Sequence, residues 1–297
     1  METKTVPKTL SGPVPVLKSH EFSLTENEKA KLAELKALLD SLEASEANSW
    51  AKAAKEQEVV RFLRGHKQKP DLAQKMIVGT SKWRHERSIE DLMTKSHAGN
   101  DVKLKELFDY YPSGMLGGNE VTGEQVCLQR LSMVDFPSIL KNYTVEHVAQ
   151  VNTIKLETLW REHPRGDHFI IIDLGHCDSE KDISPVDSVW QLRSYIAALM
   201  KCVKHVAQEV EPNYPETFKK IFFVRVPSVF WASWKVAKYF VAERTRNKIE
   251  VVSSDAYKVL KQHIADEHIP HFLGGKNDIS TIPKGGKLMA AEKTSNS

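Results

Sequence analysis

Three short, dense apolar runs, at 168–174, 221–226 and 249–253, limit what this chain can fold into more than any other feature. They are rich in Ile, Val and Phe and end at turn residues or charges, which reads as strand. A fourth run, 125–131, has the same character with more polar residues. Helical patterns lie between the runs. The clearest opens at Pro185 and carries Val189, Leu192, Ile196, Leu199, Val203, Val206 and Val210 before Pro212 stops it. Strands separated by helices of this length need crossover connections. A mostly parallel sheet of the α/β class is therefore expected from about Tyr110 onward.

The first third has a different period. Residues 1–23, with Pro7, Pro13 and Pro15 among small and polar residues, read as a disordered leader. Thr25 followed by Glu28 is a capping-box pattern, and Leu32, Leu35, Leu39 and Leu42 give the helix behind it an apolar stripe. A short helix over 56–64 presents Val59, Phe62 and Leu63. Another opens at Pro70, a tolerated first-turn position, with Leu72, Met76, Thr80 and Trp83 on one face. The expected organisation is a leader at 1–23, a helical subdomain at 24–95, an α/β domain at 105–280 and a polar tail at 285–297.

Catalytic signatures are weak. Gly-Gly-Lys at 274–276 would need its first phosphate-loop glycine at Pro270, and the copy at 285–287 would need it at Ser280, so both fail. His163, His168, His176 and Cys177 match no common zinc spacing and read as strand-end residues, so no metal is expected. Forty-two basic against 39 acidic residues leave a formal charge of +3, which gives no reason to expect nucleic acid. Three cysteines, Cys127, Cys177 and Cys202, without C-x-x-C spacing suit a reducing compartment. The start lacks a signal-peptide pattern, and no apolar run approaches the roughly 20 residues that span a bilayer. A soluble, cytoplasmic, non-enzymatic protein is the expectation.

The stretch 228–243 is the most apolar helical pattern in the chain. Phe230, Trp234, Ala237 and Val241 share one face, and Trp231 joins the apolar remainder. By residues alone it is a core helix as readily as a movable lid. The basic corner that follows, Arg244-Thr245-Arg246-Asn247-Lys248, is by itself a helix end whose cations suit the macrodipole.

Taken in order, Arg61-Phe62-Leu63-Arg64, Lys82-Trp83-Arg84, Ile170-Ile171-Ile172-Asp173-Leu174, Tyr214-Pro215-Glu216 and Pro270-x-x-x-Gly274-Gly275 resemble the CRAL-TRIO lipid-binding family over roughly 25–280. Within it, the pattern is nearest to the yeast-type phosphatidylinositol transfer proteins. The resemblance implies a parallel sheet floor, a hydrophobic pocket and a gating helix, here the 228–243 stretch with Phe230, Trp231, Trp234, Ala237 and Val241. Moving two acyl chains out of a bilayer exposes about 30 methylenes, on the order of 25 kcal/mol, so such a carrier needs a dry cavity that closes.

The resemblance also implies site residues. Glu216, Thr245 and Lys248 stand where relatives hold the inositol phosphate. His66 replaces an arginine there, with Lys67 beside it. The positions that surround choline in relatives carry Leu116, Leu156, His168 and Ile170, which offer no aromatic cage, so weak phosphatidylcholine binding is expected. No cofactor is required beyond a bound lipid, phosphatidylinositol. The tyrosine that ligates haem in some members is Leu174 here, which leaves His176 or Cys177 as the minority haem reading. The implied partners are a phospholipid, a transient membrane surface (endoplasmic reticulum, Golgi or endosome) and a lipid kinase as downstream user, with the protein a monomer. Alternatives left open are a non-exchanging sensor or adaptor and a sterol- or haem-binding member.

Overall fold

In the computed structural model, the described residues are 24–97, 101–118, 123–164, 166–175, 189–227, 231, 234–235, 238–252 and 255–283. The leader, the tail, Phe230, Ala237, His176 and Cys177 lie outside them. The chain begins with helices α1 (Glu26–Asp40), α2 (Glu46–Ala53), α3 (Glu56–Gly65), α4 (Pro70–Glu86), α5 (Ile89–His97) and α6 (Val102–Tyr110). The capping box at Thr25 forms, with the Thr25 hydroxyl accepting from Glu28 N at 3.2 Å and the Glu28 carboxylate accepting from Thr25 N at 3.0 Å. Glu28 also accepts from Arg64 Nε at 2.6 Å, which clips α1 to the end of α3.

Leu32, Leu35 and Leu39 of α1 pack with Val59, Phe62 and Leu63 of α3 and Ala73 and Ile77 of α4. That cluster also takes in Trp160 and Tyr214 from the second part of the chain, so the helical part and the α/β part share one core. Arg84 of α4 makes the polar seam. It donates to both oxygens of Glu157 at 2.5 and 3.0 Å, and Tyr214 Oη donates to the same carboxylate at 2.8 Å. Burial alone would raise the Glu157 carboxyl, but Arg84 holds it below the usual range. Two sequence signatures some 130 residues apart, Trp83-Arg84 and Tyr214-Pro215, thus meet through a third residue that the sequence did not advertise.

The sheet runs in the order β1-β2-β3-β4-β5: β1 (Ser113–Gly118), β2 (Gln125–Arg130), β3 (His168–Asp173), β4 (Phe218–Val224) and β5 (Ile249–Val251). The last four strands are parallel; β1 is antiparallel to β2. Glycine-rich β1 is absent from the sequence expectation because Gly114, Gly117 and Gly118 give no apolar alternation. β4 starts three residues earlier than expected, since Lys219 and Lys220 are tolerated at a strand end. Between the strands come α7 (Phe136–Asn142), α8 (Val145–Glu162) and α9 (Val189–Glu209). After β4 come α10 (Glu243–Arg246) and, past β5, α11 (Ala256–Leu260).

Parallel strands in simple sequential order, joined by right-handed crossovers, place every crossover on one face of the sheet. Register identifies that face. Ser113, Met115, Cys127, Gln129, Ile170, Ile172, Ile221, Phe223, Ile249 and Val251 are paired across neighbouring strands and point to the same side. Ile172 and Leu174 there meet the cluster built by Tyr111, Phe136, Ile154, Tyr195 and Cys202. The opposite face is close-packed. Val126, Leu128, Phe169, Ile171, Phe222 and Val224 sit there under Leu260, Ile264, Ile269 and Leu273 from the C-terminal segment. Asp173, fully buried, accepts from Arg130 at 3.2 Å and from Arg225 at 2.6 Å, and both guanidinium groups lie over the Phe272 ring. Gly274, at φ +96°, ends the turn His271–Leu273 in a conformation that favours glycine.

The expected helix over 228–243 does not continue to its end. Trp231, Trp234 and Lys235 are helical, but 238–240 form a turn and α10 starts afresh at Glu243 after Ala242. Arg246 donates to the Lys238 carbonyl at 2.8 Å across the break, so the corner folds back on the preceding segment.

Candidate functional site

The basic corner is built by a one-turn helix and the strand it feeds. Lys248 N donates to Thr245 O at 3.0 Å, and the Lys248 carbonyl accepts from Ile221 N at 2.9 Å, which ties the corner to β4. The Lys248 ammonium donates to Glu216 at 2.6 Å, and Arg244 Nε lies 3.4 Å from the other Glu216 oxygen. Glu216 has φ +54°, a left-handed conformation uncommon outside glycine, in the turn that carries its carboxylate between the two cations. Thr245 donates its hydroxyl to Glu211, whose carboxyl is pushed up by burial against the pull of Thr245 and Arg244. Glu216 therefore bridges two cations, and Glu211 is a second carboxylate within the field of Arg244.

Arg244 also donates to the Gly65 carbonyl, and this brings the end of α3 to the corner. A Cβ at Gly65 would collide with that guanidinium and press on Pro215. His66 follows directly, half-buried, with Nδ1 donating to the Phe62 carbonyl at 2.8 Å. That bond leaves only Nε2 for a ligand. Lys67 is exposed, on the first of two left-handed residues, Lys67 and Gln68.

The crossover face of the sheet forms the second half of the site. Met115, Cys127, Gln129, Ile172 and Phe223 keep accessible surface although α8, α9 and the 231–241 segment follow their strands. Among the described residues, Met115, Cys127, Ile170 and Ile221 join none of the three packed clusters. Burial pushes the Cys127 thiol up to about 12 and the Lys155 amine of α8 well below the usual lysine range. This partly covered, apolar face beneath the crossovers is the floor of the candidate chamber. Trp234 packs on Phe223 at a ring distance of 5.6 Å, and Lys204 of α9 lies 5.2 Å from the Phe240 ring. The segment that carries Trp234 and Phe240 thus reaches from β4 to α9 across this face.

A sheet with every crossover on one side, and an apolar space beneath them, is matched by known proteins. Residues 111–275, more than half of the chain, match the CRAL/TRIO domain. The chain belongs to the CRAL/TRIO family. It is 25% identical over 236 residues to the phosphatidylinositol/phosphatidylcholine transfer protein SFH12 of Arabidopsis thaliana, covering 79% of this chain and 41% of that protein. It is 26% identical over 264 residues to protein real-time of Drosophila melanogaster, covering 85% of this chain and 36% of that protein. The chain spans about two-fifths or less of the length of these curated relatives. The crystal structure of Sfh5 superposes with a TM-score of 0.58 at 18% identity, over 89% of this chain and 92% of that one, which shows the fold. CRAL/TRIO domains are lipid-binding modules rather than enzymes.

Within this CRAL/TRIO domain, Glu216, Thr245 and Lys248 share one corner, with His66 and Lys67 next to its Gly65 wall. Arg244 and Glu211 join them; the basic run pointed to Arg244, while nothing local marked Glu211. The four second-ligand positions do not converge. Leu116 follows Met115, so strand alternation puts it on the close-packed face with Val126 and Phe169, at a β-bulge between Met115 and Gly117. Leu156 packs against the helical cluster with Trp160. His168 is fully buried: Nδ1 accepts from Gln125 N at 3.1 Å, so Nε2 donates to the His163 carbonyl at 3.1 Å. Burial, then the Arg61 charge, lowers its pKa to about 3, so it stays neutral and committed to backbone. Ile170 alone lies on the chamber face. Trp231 and Trp234 lie in the roof, Trp231 about half exposed, while Val241 sits in the bend before α10. No group of three potential metal ligands occurs among the described residues.

Proposed function

We propose that this chain is a carrier that takes a single phosphatidylinositol from one membrane and delivers or presents it at another. The observation that carries this reading is the pairing of two cations on Glu216. Lys248 and Arg244 both hold that carboxylate, and a phosphodiester with one negative charge can take its place between them. Lys248 immediately precedes Ile249, whose side chain is on the chamber face, so a lipid phosphate at the corner would send its acyl chains under the roof. On binding, phosphate displaces Glu216 from Lys248, and the released carboxylate is placed to accept from inositol hydroxyls. The Arabidopsis relative is a phosphatidylinositol/phosphatidylcholine transfer protein, which agrees with a phospholipid cargo.

Phosphatidylcholine is the weaker cargo in this reading. A pair of aromatic rings does lie near the chamber, but the Lys155 nitrogen occupies the place, 4.0 Å from the Tyr111 ring centroid and 5.3 Å from that of Phe108. A choline would meet an amine already in place. Loading occurs at a membrane surface: Trp231 and Tyr239 are 46% and 76% exposed, with Lys235 exposed between them, a composition that suits the bilayer interface. No described helix is long and apolar enough to cross a membrane. The setting is the cytoplasmic face of an internal membrane, with a lipid kinase as user of the presented lipid.

Transfer of labelled phosphatidylinositol and phosphatidylcholine between vesicles tests the reading. Wild type should move the first far faster than the second, and Lys248→Ala should abolish only phosphatidylinositol transfer. A Lys248→Ala protein that carries phosphatidylinositol at the wild-type rate removes the headgroup assignment. A wild type that moves neither lipid removes the carrier and leaves a sensor.

A further inference from the structure

Lys155 has no role in phosphatidylinositol capture, yet it is the most unusual group in the chamber. It stands on α8, where Val148, Val151, Asn152 and Leu159 on the same side are buried, so an amine replaces an expected aliphatic residue. Its nitrogen donates to the Ser113 hydroxyl at the start of β1 and lies against Tyr111 and Phe108. Among the described residues it forms no ion pair with any carboxylate. Burial with no anion beside it favours the uncharged amine, a base that an acidic ligand can protonate. The Lys155 side chain as a whole is half-buried.

Its position is set apart from the headgroup corner. Ser113 lies on β1 and pairs with Gln129 near the C-terminal end of β2, whereas Lys248 precedes β5 at the N-terminal end of the parallel strands. Four strand spacings separate the two edges, or ~19 Å. The chamber floor between them is Cys127, Ile170, Ile172, Ile221 and Phe223. The space therefore has a polar anchor at either end and an apolar middle.

We propose that Lys155, with Ser113, anchors a second class of ligand, an amphiphile with a carboxylate head, namely a free long-chain fatty acid. This rests on the reading of the crossover face as a lipid chamber. The acid gives its proton to the Lys155 amine, the resulting carboxylate accepts from the ammonium, and the chain lies along the floor toward the Lys248 end. Ser113, whose hydroxyl donates to the Tyr111 carbonyl at 3.3 Å, holds the same nitrogen by accepting from it, and the ion pair so formed is stronger at a buried site than in water. The bulky, zwitterionic head of phosphatidylcholine has no such fit.

The test is calorimetric titration of the delipidated full chain with oleate and with oleyl alcohol, alongside phosphatidylinositol loading. Wild type should bind oleate at least ten-fold tighter than the alcohol, a comparison that needs no variant. Lys155→Met should lose at least ten-fold in oleate affinity, keep its alcohol affinity and load phosphatidylinositol normally. Equal binding of oleate and alcohol by wild type, or unchanged oleate affinity in Lys155→Met, overturns the anchor while phosphatidylinositol loading leaves the carrier standing. If wild type takes up none of the three, the chamber reading and the anchor fall together.

Discussion

Replacing Glu157 by glutamine tests the seam between the helical part and the sheet. The carboxylate is 3% exposed and accepts two bonds from Arg84, one from Tyr214 and two from Arg161. Breaking a buried ion pair by removing one partner costs about 3–5 kcal/mol, because the other charge is stranded. Here Arg84 keeps Glu90 at 2.6 Å, though that carboxylate is 68% exposed, and the amide oxygen still accepts one bond. The expected loss is therefore about 2–3 kcal/mol, or a fall of ~5–10 °C in Tm for a domain of this size. Urea unfolding followed by tryptophan fluorescence measures it, since Trp50, Trp83 and Trp160 surround the seam. The double replacement Arg84→Met with Glu157→Leu should cost less than the single one, because it leaves no buried charge unpaired. A Glu157→Gln loss below about 0.5 kcal/mol, or a double replacement costing more than the single, would refute the claim that burial makes this pair strong.

Three further outcomes are expected. Glu28 is held at about 2 against an ordinary 4.5, first by the hydrogen bond from Arg64, so its contribution is complete above pH 4.5 and is lost as pH falls toward 2. Acid titration of stability should show up to about 3 kcal/mol of this loss absent in Glu28→Gln, and identical acid profiles would contradict the assignment. Gly65→Ala should cost about 1–3 kcal/mol by crowding Arg244 and Pro215, and should weaken phosphatidylinositol loading, read by mass spectrometry of the bound lipid. Cys127, with its thiol pushed up by burial, should react with a thiol reagent only after unfolding; rapid labelling of the native chain would mean the chamber is open to water.

Much of the fold is legible in local pattern. The Thr25–Glu28 box, the Pro70 start and the three dense strands involve residues close in sequence, where turn chemistry and periodicity act directly. The basic corner and Glu216 were legible only through a resemblance, since lysines and arginines at a helix end carry no intrinsic sign of a ligand. The break at 238–242 was hidden because no proline or glycine marks it; long-range contacts to Phe223 and Lys204, and the Arg246 bond back to Lys238, decide it.

Local sequence is enough to specify most of the elements and a mostly parallel sheet, because hydrophobic period is a property of neighbouring residues; the spatial strand order that puts every crossover on one face is set by the tertiary fold. Which side chains share a space emerges only when the chain has folded. Strand register turns Leu116 away from Ile170, and His168 spends both ring nitrogens on backbone groups of other segments. Lys155 reads as an ordinary helical lysine until Ser113, Tyr111 and Phe108 close around it. The cause is common to all three: register and burial depend on contacts between residues far apart in the chain, and a side chain's ionisation and partners are set by those contacts.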